Sequence, residues 1–115
     1  LVALNGLGLA QKGLGRPEEA SQRLIKAEAL AHARGDKRLL AATLANRGDL
    51  MLWAGDPGRA EPCLAEAVQL DRETENLPGL VHDLSLLAQV RERQNDPSSA
   101  LELYRRALAI AGHTG

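Results

Sequence analysis

The sequence predicts an all-α solenoid of three antiparallel helix pairs, and three observations carry that expectation. The first is internal repetition. Leu4, Gly8, Gly15, Ala20, Leu24 and Ala27 return as Leu44, Gly48, Gly55, Ala60, Leu64 and Ala67. They return again as Leu84, Ala88, Asn95, Ala100, Tyr104 and Ala107, always 40 residues on and without insertion or deletion. A fixed period of roughly 20–50 residues marks a stacked repeat array. The second is spacing: apolar and small residues recur at three and four, the period of a helix face, between short turn signals. The third is composition. Aromatic residues make up 2%, with Trp53, Tyr104 and no Phe, so the core must be built of Leu and Ala, which suits close-packed helices better than a β-sandwich.

Taken in order, residues 1–14 read as a helix with Leu4, Leu7, Ala10 and Leu14 on one face. Gly15 and Arg16 break it, and Pro17 suits the first position of a second helix, where its missing N–H costs nothing. That helix runs to about Ala33 with Ala20, Leu24, Ala27 and Leu30 inward; Gly35 stops it and Asp36 caps the next. The third helix, 37–54, turns Leu40, Leu44, Gly48 and Met51 inward. Gly55, Asp56 and Pro57 end it and open the fourth, in which Pro62 predicts a kink or a late start. Asn76 and Pro78 punctuate the fifth, which runs to about Gln94, and Asn95-Asp96-Pro97 opens the sixth, to about Gly112. Turns this short force antiparallel hairpins. The whole of 1–115 is then a single repeat domain with units of about 1–36, 37–76 and 77–115. Gly8, Gly48 and Ala88 are expected to let each first helix approach Ala20, Ala60 or Ala100 of its own second helix. Ala27, Ala67 and Ala107 are expected to leave room for the following unit.

In register, these helix pairs resemble the tetratricopeptide repeat family, through Leu4, Leu7, Gly8, Gly15, Ala20, Leu24, Ala27 and the residues 40 and 80 further on. The resemblance covers nearly the whole chain. It implies a right-handed superhelix whose first helices line a concave side. The period of 40 is similar to the longer-helix variety of Leu-Gly-Asn-repeat adaptors, kinesin light chains and the sensor arrays of bacterial regulators. The chain departs from the family pattern at Gln11, Met51 and Arg91, where a Tyr is common, and at Arg47, which stands where Leu7 and Leu87 stand and is expected to snorkel.

The composition excludes several function classes. Hydrophobic residues at 44%, charged residues at 25% and a net charge of −1 are ordinary for a globular domain and offer no basic face for nucleic acid. A single cysteine, Cys63, excludes an internal disulfide and a cysteine-built zinc cluster, and it reads as a half-buried packing residue. No run approaches the roughly 20 apolar residues of a membrane span, and no signal-peptide pattern opens the sequence, so a cytoplasmic location is expected. Gly6-Leu7-Gly8 and Gly13-Leu14-Gly15 follow no strand, and Leu14 stands where a phosphate loop needs Lys. His32, His82 and His113 form no i, i+4 pair and read as surface residues. Glu18 and Glu19 suit the first turn of a helix. No catalytic residue, metal site or cofactor is expected.

A surface remains. The resemblance places Val2, Asn5, Gly6, Leu9 and Lys12, then Ala42, Ala45, Asn46, Asp49 and Trp53, then His82, Ser85, Leu86, Gln89 and Arg93 along the concave groove. Asn5, Leu9, Lys12, Asn46, Asp49, Trp53, His82, Ser85, Gln89 and Arg93 are the candidate partner-binding residues. The family's clamp for a C-terminal carboxylate is missing, since Leu9, His82 and Leu86 fill its positions. Asn46 matches the groove Asn of the Leu-Gly-Asn variety, whose amide both donates to and accepts from a peptide backbone. Trp53 stands out because tryptophan is enriched in binding hot spots. Lys12, Asp49, Glu92 and Arg93 give the groove mixed charge. The expectation is a non-catalytic module that binds a peptide or helix of another protein. The alternative is a structural segment of a longer array, self-associating through 97–112 or 1–14, with Leu101, Leu108 and Ile110 partly uncovered.

Overall fold

The computed structural model describes residues 17–114. They form five α-helices: α1 (Pro17–Arg34), α2 (Lys37–Trp53), α3 (Pro57–Glu73), α4 (Leu77–Arg93) and α5 (Pro97–Thr114), with no strand among the described residues. The predicted helix over 1–14, with Leu4, Leu7 and Gly8, lies outside the described residues.

One device makes every turn. A left-handed residue closes each helix: Gly35 at φ 64°, Gly55 at 88°, Glu75 at 55° and Asn95 at 60°. The next amide then reaches five residues back, from Asp36 to Ala31, Asp56 to Met51, Asn76 to Asp71 and Asp96 to Arg91, at 2.8–2.9 Å. This satisfies carbonyls the helix end leaves over. That same residue caps the following helix. Asp36, Asp56, Asn76 and Asp96 accept the amides of Leu39, Arg59, Gly79 and Ser99 at 3.0, 3.1, 3.3 and 3.2 Å. Glu75 is the turn residue that sequence gave no sign of, because glycine or asparagine is the usual choice where φ is positive. Pro62 neither delays nor interrupts α3, which starts at Pro57 and continues to Glu73. Only the bond to Gly58 is lost so near the N-terminus, and Gly58 and Pro62 both face solvent.

Consecutive helices pack as antiparallel neighbours, and α2 also touches α4, which gives a helical solenoid. The larger core cluster joins α1, α2, α3 and α4 through Ala31, Leu40, Leu44, Leu52, Leu64, Leu70 and Val90. A smaller one joins α3, α4 and α5 through Val68, Leu80, Leu84 and Ala107.

The side chain that Gly48 makes room for is Leu64: a Cβ there would lie 2.6 Å from Leu64 Cγ. Two packing expectations need correction. Leu30 is exposed, and the neighbouring Ala31 is the buried residue of that turn. Arg47 does not snorkel to water. It turns toward Glu28 of α1 and forms an ion pair with it, with its Nε buried and unpartnered. Cys63 is half-buried against the larger cluster, where burial pushes its thiol pKa up. Leu101 and Leu108 are exposed on α5 and Ile110 is only partly buried, beside the smaller cluster, as expected.

Candidate partner-binding face

The predicted groove residues of α2 and α4 fall into two stripes. On α2, Ala42, Asn46, Asp49 and Trp53 follow each other at four, three and four residues, which is one face of a helix. Asn46 is exposed, Asp49 half-buried, and Trp53 40% exposed. On α4, His82, Gln89 and Arg93 are exposed and Ser85 is half-buried. The Ser85 hydroxyl donates to the Val81 carbonyl at 2.9 Å, so its proton is held within its own helix. Asn5, Leu9 and Lys12 lie outside the described residues, as do Val2 and Gly6. Ala45 and Leu86, placed in the groove by the resemblance, are instead core residues at 3% and 4% exposure. Ala45 is one residue off the Asn46 stripe, whereas Leu86 holds the register of Asn46 and is nevertheless buried in the larger core cluster.

The stripes meet at the C-terminal end of α2. Arg93 Nη1 donates to the Leu52 carbonyl at 2.9 Å, next to Trp53 in the chain. A cation there also faces the negative end of the α2 dipole. The Arg93 guanidinium and the half-exposed Trp53 indole therefore both lie at this end of α2.

One charge assigned to the groove, Glu92, and the neighbouring Arg91 face other helices. Glu92 accepts from the Tyr104 hydroxyl of α5 at 3.0 Å, and burial together with that bond pushes the phenol pKa up. Arg91 faces Glu61 of α3 at 2.7 Å. Its hydrogen bond is the main cause of a lowered Glu61 carboxyl pKa. Met51, one period earlier, packs against the larger core cluster.

Sequence reasoning missed a buried polar cluster at the α3–α4 junction, formed by Asp71, Asp83 and Asn76. Its signal was present in the register. Asp71 and Asp83 stand where Ala31 and Thr43 stand 40 residues earlier, and a carboxylate at a position otherwise held by Ala is a departure from the repeat.

His32 and His82 are exposed. Among the described residues no group of three or more His, Cys, Asp or Glu side chains could hold a metal ion. No described helix is long and apolar enough to cross a membrane.

Comparison with known proteins agrees with this architecture. No curated protein and no solved structure matches the chain significantly. The family profile of the tetratricopeptide repeat matches residues 39–112, which takes in α2, α3, α4 and nearly all of α5. With two-unit register, capped antiparallel hairpins and a matching profile over more than half its length, the chain belongs to the tetratricopeptide repeat family.

Proposed function

We propose that this chain is a non-catalytic interaction module that holds a peptide or helix of a partner protein against α2 and α4. Tetratricopeptide repeats generally mediate protein–protein interaction. The observation that carries the finer reading is the pair of stripes ending at Trp53 and Arg93. A large amphipathic ring is left 40% exposed next in the chain to Leu52, whose carbonyl accepts from the Arg93 guanidinium. Tryptophan and arginine dominate binding hot spots, and the polar rims at Asn46 and Gln89 can satisfy backbone groups of a ligand.

The test uses peptides selected from a displayed library. Binding should shift Trp53 fluorescence and perturb the Asn46 and Gln89 amide resonances. Trp53→Ala should weaken it at least about tenfold, ~1.4 kcal/mol, while lowering Tm by less than ~8 °C. A larger loss of Tm would place the ring in the core, and ligand shifts confined to α1 and α5 would sink the reading.

A second reading is favoured by one observation. Leu108 is 71% exposed and Leu101 51%, seven residues apart on one face of α5. Two copies could cover these faces by two-fold pairing. Sedimentation across a wide concentration range decides it: Leu108→Glu should abolish any dimer, and a strict monomer at high concentration excludes it.

A further inference from the structure

Asp71 and Asp83 are buried to 2% and 1% exposure, one near the end of α3 and the other two turns into α4. Neither has a cationic partner among the described residues. Asp71 Oδ1 accepts from the Asn76 amide at 3.1 Å, and the amide's oxygen in turn caps α4 through Gly79 N–H at 3.3 Å. Asp83 Oδ2 is buried and meets no donor. Its carboxyl lies within hydrogen-bonding reach of Asp71. Two ionised carboxylates are both pure acceptors and cannot bond to each other, whereas one proton between them makes a strong bond. Gly79 leaves room for the Asp71 carboxyl at this junction, because a Cβ at that position would lie 2.7 Å from Asp71 Oδ2.

We propose that Asp71 and Asp83 hold one proton between them and form a proton-dependent latch across the α3–α4 junction. Burial, then the hydrogen bond to Asp71 and its negative charge, push the Asp83 pKa up to about 9. Asp71 of α3 is the one charged group acting on Asp83; none from α2 or α5, which also pack on α4, bears on it among the described residues. His82, its neighbour on α4, is exposed. An unfolded Asp releases its proton above about pH 4. Between there and about pH 9 the folded chain therefore holds one more proton than the unfolded chain. Stability must fall as pH rises through that window, by up to about tenfold in the folding constant per pH unit. Because α4 carries His82, Gln89 and Arg93, opening the latch loosens half of the proposed binding face from α3.

Two measurements on the intact chain test the latch. In carboxyl-carbon NMR of the wild-type protein, one Asp resonance should titrate well above the ordinary carboxylate range. In urea unfolding from pH 5 to 8, the wild-type folding constant should fall with pH. Asp83→Asn should flatten that slope and fold more favourably at pH 8, because its amide N–H donates to Asp71 at any pH. The latch is refuted if every Asp titrates below about pH 5, or if Asp83→Asn keeps the wild-type slope. Stabilisation of the wild type, but not of Asp83→Asn, by calcium or magnesium chloride at pH 8 would also overturn it and assign the pair to a cation.

Discussion

The α1–α2 and α3–α4 junctions occupy the same register of the repeat, 40 residues apart, yet they place their polar groups in opposite positions. In the first, Ala31 and Thr43 fill the inner site, and Thr43 spends its hydroxyl on the Leu39 carbonyl at 2.8 Å. Its charges lie further along, where Arg47 pairs with Glu28. In the second, the inner site holds Asp71 and Asp83, and the residues equivalent to Glu28 and Arg47 are the apolar Val68 and Leu87. The turns adapt in step. Leu39 fits beside the small Ala31, whereas the equivalent of Leu39 beside Asp71 is Gly79, where even a Cβ would collide. A repeat thus specifies where two helices touch, and each junction then needs one compatible set of side chains at that contact. Sets can differ between units, and each of these two leaves one buried polar atom without a partner, Arg47 Nε in the first and Asp83 Oδ2 in the second.

The largest expected effects test how far the junctions are equal. Leu44 and Leu84 are equivalent and buried to 2% and 1% exposure. Core Leu→Ala changes cost about 2–5 kcal/mol, depending on how well the site collapses. Leu44 belongs to the cluster that draws on four helices and Leu84 to the smaller one. Leu44→Ala should therefore sit at the upper end of that range and Leu84→Ala lower, as read by urea unfolding. The reverse order would make the second junction the stronger.

Gly79→Ala comes next. Its Cβ would lie 2.6 Å from Asn76 Nδ2 and 2.7 Å from Asp71 Oδ2, and overpacking of this kind costs about 1–3 kcal/mol. Asp71→Ala removes the carboxylate that the new Cβ meets, so Gly79→Ala should cost less in the Asp71→Ala background than in the wild type. Additive losses in the double-mutant cycle would mean that the glycine and the carboxylate are not coupled.

Transplanting in the other direction gives a smaller effect. Glu28→Val alone leaves the half-buried Arg47 cation unpaired and should cost about 1–3 kcal/mol. Adding Arg47→Leu completes the apolar pair of the second junction and should return the protein to within about 1 kcal/mol of wild type, or beyond it. A double variant as unstable as the single one would show that the first junction cannot accept the second's side chains.

How much of this was legible depended on whether a residue followed the repeat. Leu44, Ala60, Leu64 and Ala67 are buried as the period predicts, and Asp36, Asp56 and Asn76 cap as turn chemistry predicts. On the candidate face Asn46, Trp53, His82, Gln89 and Arg93 are exposed, but Leu86, in the register of Asn46, is buried. Departures from the repeat were harder to read. Arg47 against Leu87, and Asp71 against Ala31, look in sequence like polar residues bound for water. Their partners, Glu28 and Asp83, lie on the adjoining helix, and no periodic rule pairs a residue across a junction. Glu92 was read as a groove charge, but Tyr104 draws it toward α5, and Arg91, which stands where the family has a Tyr, pairs with Glu61 of α3.

The smallest expected effect separates the junctions by pH. Glu61 and Arg91 bridge α3 and α4, while Ser21 and Met51 at the equivalent places in α1 and α2 form no ion pair. The bond to Arg91 holds the Glu61 carboxyl below its ordinary value. A lowered folded pKa gives stability that is present above the unfolded value of about 4.3 and is lost as pH falls through the folded value. This is the opposite sign to Asp83, whose contribution declines as pH rises. The α3–α4 junction should therefore be most stable in mildly acidic solution, with Asp83 setting the alkaline slope and Glu61 part of the acid slope. The Glu61 side chain is 36% exposed, so solvent and salt screen the pair and its share should stay below about 1 kcal/mol. Glu61→Gln should shallow the acid limb between pH 5 and 3 at low salt and change it less in 1 M sodium chloride. An acid limb that is the same in the variant and the wild type at low salt would mean that the bridge holds α3 and α4 together no better than Ser21 and Met51 hold the first pair.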